Sequence, residues 1–193
     1  MLASITPLGE RSRGFSWGLT VSAFAIGAVA VGALGGAAGG LVGSLLPAGT
    51  WRTALALAVL AVALAVDATP LARRLPTTRR QVNEDWMARY RGWVYGAAFG
   101  AQLGAGLATV VTSAAIYAVA AGTVLTGTTW AGAVLGGVFG ATRALTLLPA
   151  AGARDRSGLM RLHRGLARVE VPARRLVVAA EIIALVIVAG GLA

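Results

Sequence analysis

The chain contains no cysteine, no lysine and a single histidine, His163. The missing cysteines exclude disulfides, thiolate metal centres and thiol redox relays built from within the chain. The lone histidine excludes a multi-histidine metal site. Charge of either sign is scarce. Only 12% of the 193 residues are charged, where a soluble domain carries roughly 25%. Long polar stretches able to support a separate soluble domain are missing too. Nucleophile elbow, phosphate-binding loop, metal-ligand cluster and paired catalytic carboxylates are all absent from the sequence pattern. The expectation is therefore a protein that is not an enzyme and carries no cofactor and no metal.

What is present is hydrophobic, at 57% of residues with a mean hydropathy of +0.76. It comes in blocks. Five apolar segments stand out, at about 14–46, 51–70, 92–125, 130–149 and 176–193. Uncharged apolar runs of about 18 residues or more are membrane-span candidates. The sequence therefore predicts an all-α integral membrane protein of about five transmembrane helices, forming one membrane domain over 1–193. Arg11 and Arg13 precede an apolar run much longer than a signal peptide's hydrophobic region, so that run is expected to stay as the first span.

The net charge of +10 is carried entirely by arginine on the cationic side, and its placement orients the chain. Basic stretches occupy 1–13, 71–91 and 150–175, whereas the turns at 47–50 and 126–129 carry no charge. Five crossings put all three basic stretches on one face. The positive-inside rule makes that face cytoplasmic, with the N-terminus inside and the protein in the cell membrane. Anionic lipid headgroups are the partners expected at these arginines. Nucleic acid is not, because no soluble domain displays them.

"RSRGFSWG" at 11–18 recurs as "RYRGWVYG" at 89–96, and Trp51 and Pro70 recur as Trp130 and Pro149. This spacing predicts a duplicated helical hairpin, 11–70 and 89–149, as a parallel repeat. A basic amphipathic linker at 150–175 and a last helix at 176–193 follow it. The stretch "ALGGAAGGLVG" at 33–43 contains two glycine pairs. In water these would weaken a helix, but in lipid they offer a surface for close helix approach. Four-residue ladders run through Gly32, Gly36 and Gly40; Gly35, Gly39 and Gly43; Gly92, Gly96, Gly100 and Gly104; and Gly132, Gly136 and Gly140. Alanines Ala54, Ala58, Ala61 and Ala65 play that part in the second helix. A glycine face left uncovered could serve a homodimer or a membrane-protein partner. The long first and third segments must tilt, protrude or break, with Gly35–Gly36, Gly39–Gly40 and Pro47 as candidate break points.

Polar residues inside the apolar segments are the candidate functional groups. Arg143 and Glu181 lie at similar depth on consecutive helices, which makes an ion pair plausible. That pair is either a structural clamp or a site for an anionic substrate, a proton or a cation. Gln102, Thr109, Thr112 and Ser113 mark a polar stripe in "QLGAGLATVVTSAAIY", which either lines a pathway or bonds to its own helix. Asp67 is expected to pair with Arg73 and Arg74 at the interface. "SGLMRLHRGLARVE" at 157–170 predicts an interfacial amphipathic helix with Leu159, Leu162, Leu166 and Val169 on one face. Ser157 is its expected cap, Pro172 its stop, and His163 an interfacial side chain rather than a ligand. In "NEDWMARYRGW" Asn83 is the expected cap, with Glu84 and Asp85 in the first turn and Trp86, Tyr90 and Trp93 as an aromatic anchor. The function expected first is a small transporter or channel-like permease. The alternative is a non-catalytic subunit or assembly factor of a larger membrane complex.

Overall fold

The structure, a computed structural model, describes residues 5–76, 85–106 and 111–190. All regular structure among them is helical. In chain order the helices are α1 (Pro7–Ser12), α2 (Trp17–Ser44), α3 (Trp51–Ala68), α4 (Trp86–Arg89), α5 (Gly92–Gly104), α6 (Ala115–Leu125), α7 (Thr129–Leu145) and α8 (Arg156–Gly190). Short 3-10 turns at Pro70–Arg74 and Leu148–Gly152 follow α3 and α7. Three stretches, Trp17–Ser44, Trp51–Ala68 and Thr129–Gly152, are long and apolar enough to cross a membrane. The protein is thus an all-helical, membrane-embedded chain.

Helix α2 is the axis. Its glycine pairs do not break it, and it runs unbroken for 28 residues, about 42 Å at 1.5 Å per residue. Each glycine of the first ladder is backed by a neighbour's main chain. A methyl group at Gly36 would overlap the Gly132 carbonyl, at Gly32 that of Gly136, and at Gly40 that of Thr128. These pairings run in opposite senses, so α7 lies antiparallel to α2. On another face, Gly96, Gly100 and Gly104 of α5 sit on the carbonyls of Thr20, Phe24 and Ala28. There the numbers rise together, so α5 is parallel to α2. Helix α6 continues in the same sense, with Thr123 against Gly39 and Val124 against Gly43.

The main departures from expectation concern α3 and α8. Although only a short turn joins α2 to α3, α3 packs on α6 and α8 rather than along α2. The glycine-bearing faces of α2 are taken by α5, α6 and α7. The expected alanine stripe is also on the wrong side, because Ala54, Ala58, Ala61 and Ala65 are exposed. The packed face is instead Val59, Leu60, Ala63 and Val66, against Ala114 and Ala118 of the sixth helix and its lead-in.

Pro172 does not stop the amphipathic helix. Helix α8 passes through it and continues to Gly190. Proline deletes one helical hydrogen bond, and Pro172 is exposed, where solvent or headgroups can satisfy the freed carbonyl. The cap of α8 is Asp155, whose Oδ1 accepts from the Gly158 N–H at 2.6 Å and from Ser157 Oγ at 3.0 Å. Ser157 lies inside the helix. Trp86, Tyr90 and Trp93 do not share one helix, because Tyr90 is extended (φ −120°, ψ 158°) between α4 and α5. Trp86 stacks instead on Phe99 at 6.1 Å between ring centroids. The expected cap Asn83 and its neighbour Glu84 lie outside the described residues.

Candidate functional site

The third apolar segment is not one helix. Helix α5 ends at Gly104, and Gly106 adopts φ +64°, a left-handed conformation that ends a helix at no steric cost only for glycine. The Ala105 N–H bonds back to Ala101 O at 3.0 Å and the Gly106 N–H to Leu103 O at 3.0 Å. Helix α6 resumes at Ala115. The interruption lies beside the middle of α2, because Gly104 faces Ala28 and Gly136 faces Gly32. A cavity of about 190 Å³ opens there, lined among others by Gly35, Gly106, Ile116, Ala120, Thr123 and Phe139. Thr123 is the main polar side chain of this otherwise apolar lining.

The restarted helix has to find partners for its free N–H groups. Asp67, at the end of α3 and 3% exposed, supplies them. Its Oδ1 accepts from the Ala114 N–H at 2.8 Å. Its Oδ2 accepts from Ser113 Oγ at 2.5 Å and from the Ala115 N–H at 3.3 Å. A carboxylate here also complements the positive end of α6. Arg174 of α8 ties the same corner, with Nε donating to Asp67 O at 2.8 Å and Nη2 to Thr69 O at 2.7 Å. Asp67 is therefore an inter-helix cap; it makes no ion pair with Arg74 among the described residues, and the side chain of Arg73 lies outside them.

About two turns beyond Arg174, Glu181 is buried at 4% exposure on a helix that is otherwise largely exposed. Neither of its carboxyl oxygens has a hydrogen-bond donor among the described residues. Among the described residues the charged group that interacts with it is Asp67, across the contact of α3 with α8.

The expected residues are thus only partly assembled. Ser113 bonds to Asp67, and Glu181 neighbours it across the contact of α3 with α8. The ion pair between Arg143 and Glu181 does not form. The guanidinium of Arg143 lies over the Phe139 ring, 5.6 Å from its centroid, one helical turn from the cavity wall. Gln102 is half-buried on α5 and Thr112 is exposed before α6; neither lines the cavity. Thr109 lies outside the described residues.

Sequence reasoning missed Glu10. It is fully buried and accepts from Arg13 Nη2 at 2.5 Å, from Thr20 Oγ1 at 2.7 Å and from the Tyr95 hydroxyl. Thr6 caps α1, its Oγ1 accepting from the Gly9 N–H at 3.1 Å. The Leu8 N–H joins Ala153 O at 3.1 Å, so α1 straps the ends of α2, α5 and α7. Nothing local in the sequence links Tyr95 to Glu10, 85 positions away. Comparison of the chain with protein-family models, with curated proteins and with solved structures returned no match.

Proposed function

We propose that this chain is a small multi-pass permease, transporter or channel-like, whose pathway passes the interruption between α5 and α6. The observation that carries this reading is the break itself, set halfway along α2 beside a cavity. At membrane depth, non-helical backbone is tolerated only where protein buries it or where it lines a cavity. Transporters place their sites at such breaks. The buried carboxyls Asp67 and Glu181 and the half-buried Arg143 lie around this region and are the charged elements of the proposal.

In this reading the chain crosses the cell membrane five times. The crossings are α2, α3, the pair α5 and α6, α7, and the second half of α8. The parallel sense of α2 and α5–α6, and the antiparallel sense of α7, support that count. The duplication draws support from α3 and α7. Each begins at or beside a tryptophan, Trp51 or Trp130, and each leads into a 3-10 turn at a proline, Pro70 or Pro149. The basic stretches then share the cytoplasmic face and meet anionic headgroups.

The test is flux in proteoliposomes loaded with small ions and solutes. Wild type should pass at least one of them. Gly35→Leu and Ala120→Leu, which place bulk at the cavity, should abolish that flux while the helical content stays unchanged. No flux for any solute, together with a stoichiometric membrane protein co-purifying in mild detergent, would support the subunit or assembly-factor reading instead.

A further inference from the structure

We propose that Asp67 and Glu181 form a proton-binding site, in which one proton is held between the two carboxyl groups across the contact of α3 with α8. The inference deepens the permease reading by naming the ion that its charged elements bind, but the site is a property of the folded chain and does not depend on flux.

The two groups have unequal surroundings. Asp67 accepts from Ser113 Oγ and from two backbone N–H groups at the start of α6. Both of its oxygens are thus engaged as acceptors. Glu181 is equally buried and has no donor among the described residues. Two ionised carboxylates facing each other without a donor or cation between them repel, and burial strengthens the repulsion. A single proton resolves this. The Glu181 hydroxyl then donates to an Asp67 oxygen, both carboxyls are satisfied, and the pair keeps one negative charge. On release, the proton leaves for water and the two carboxylates must separate or hydrate.

Among the described side chains the neighbours are engaged elsewhere; that of Arg73 lies outside them. On α8, Arg174 spends its Nε and Nη2 on the carbonyls of Asp67 and Thr69. At the far end of α3, Arg52 is held by the carbonyls of Gly43, Leu46 and Pro47. On α6, the Tyr117 hydroxyl donates to the Pro76 carbonyl. The turn Leu148–Gly152, which also touches α8, contains no ionisable side chain. A metal cation would need more oxygens than this pair offers, whereas a proton needs only these two.

The experiment is infrared spectroscopy of the full chain in lipid nanodiscs, with and without glutamate labelled with carbon-13 in its side-chain carboxyl. The wild type should show, at neutral pH, one protonated carboxyl band per chain that moves with the label. Glu181→Gln should remove it, and its amide should preserve packing by donating to Asp67. Asp67→Asn should keep the band but shift it to higher wavenumber, because the carboxylate acceptor is gone. The second variant assigns the band even if the first does not fold. Absence of the band in wild type, or a band unaffected by both variants, overturns the proposal. So does a band lost on adding sodium or potassium at fixed pH, which would make the site one for a cation. If no solute crosses the wild-type vesicles but the band behaves as expected, the permease reading falls and the proton site stands.

Discussion

Helices α2 and α8 are both long, yet they are held in opposite ways. Helix α2 is gripped on several faces by the backbones of α5, α6 and α7, with glycines at the crossings and almost no room for a methyl group. Among the described residues helix α8 touches only α3 and the turn Leu148–Gly152 to any extent, and it exposes Leu176, Ile182, Ile183, Val186 and Ile187. The centre is fixed by shape, and shape tolerates no displacement. The rim is fixed by a few polar groups, whose strength changes with protonation. An element that must move during function is better placed at the rim, and the proposed proton site is there.

The sharpest way to break the comparison is to add one methyl group at the centre. Gly36→Ala pushes a carbon into the Gly132 carbonyl, and neither backbone can yield cheaply. We expect a loss of about 3 kcal/mol, at the upper end of what overpacking costs, measured by unfolding in detergent. Next comes the strap at the end of α2. Tyr95→Phe removes the hydroxyl that donates to Glu10 and should cost about 1–2 kcal/mol, the range for leaving a buried acceptor short of a donor. At the rim, Ser113→Ala takes one donor from Asp67 but leaves the two backbone N–H groups. That change should cost about 1 kcal/mol, as for a helix cap.

Gly35→Ala is the counter-test. A methyl group at Gly35 meets nothing within 4 Å, so the substitution should be neutral or stabilise by up to about 1 kcal/mol through the better helix former. If Gly35→Ala were as damaging as Gly36→Ala, the packing assigned to the two ladders would be wrong.

The smallest effect concerns Asp155, whose carboxyl is held below its ordinary range by the Gly158 N–H, then by Ser157 and Arg161. A lowered value means that the capping contribution is present above the usual aspartate range, near about 3.9. It is lost only as the pH falls through the lower folded value. Amide exchange at Gly158 should therefore stay slow at mildly acidic pH and accelerate only below it. Asp155→Asn should flatten that dependence.

The glycine ladders were the most legible part of this fold, because close backbone approach needs small residues at four-residue spacing and leaves that imprint in the chain. Gly32, Gly36, Gly40, Gly132, Gly136 and Gly140 are buried as the spacing required. The alanines of α3 misled, because alanine is a good helix former on any face and its spacing does not say which face is covered. Pro172 misled because a proline stop is a preference that a helix overrides where solvent or headgroups can satisfy the freed carbonyl. The burial of Glu181 was legible from its isolation in an apolar run, but its neighbour was not. Depth along consecutive helices pointed to Arg143, while packing order brought α8 to α3 and so to Asp67. The tie from Glu10 to Tyr95 spans 85 positions and has no local signature.

The proposed permease requires that water reach the cavity where the third segment breaks. Because the chain has no native cysteine, single cysteines report without background. In lipid vesicles, Ala105→Cys and Ala120→Cys, at the cavity, should react with a water-soluble thiol reagent. Ile26→Cys and Leu34→Cys, exposed on the outer face of α2, should stay silent in the bilayer. Reaction at 26 and 34 with silence at 105 and 120 would place water on the wrong side of α2 and contradict the account.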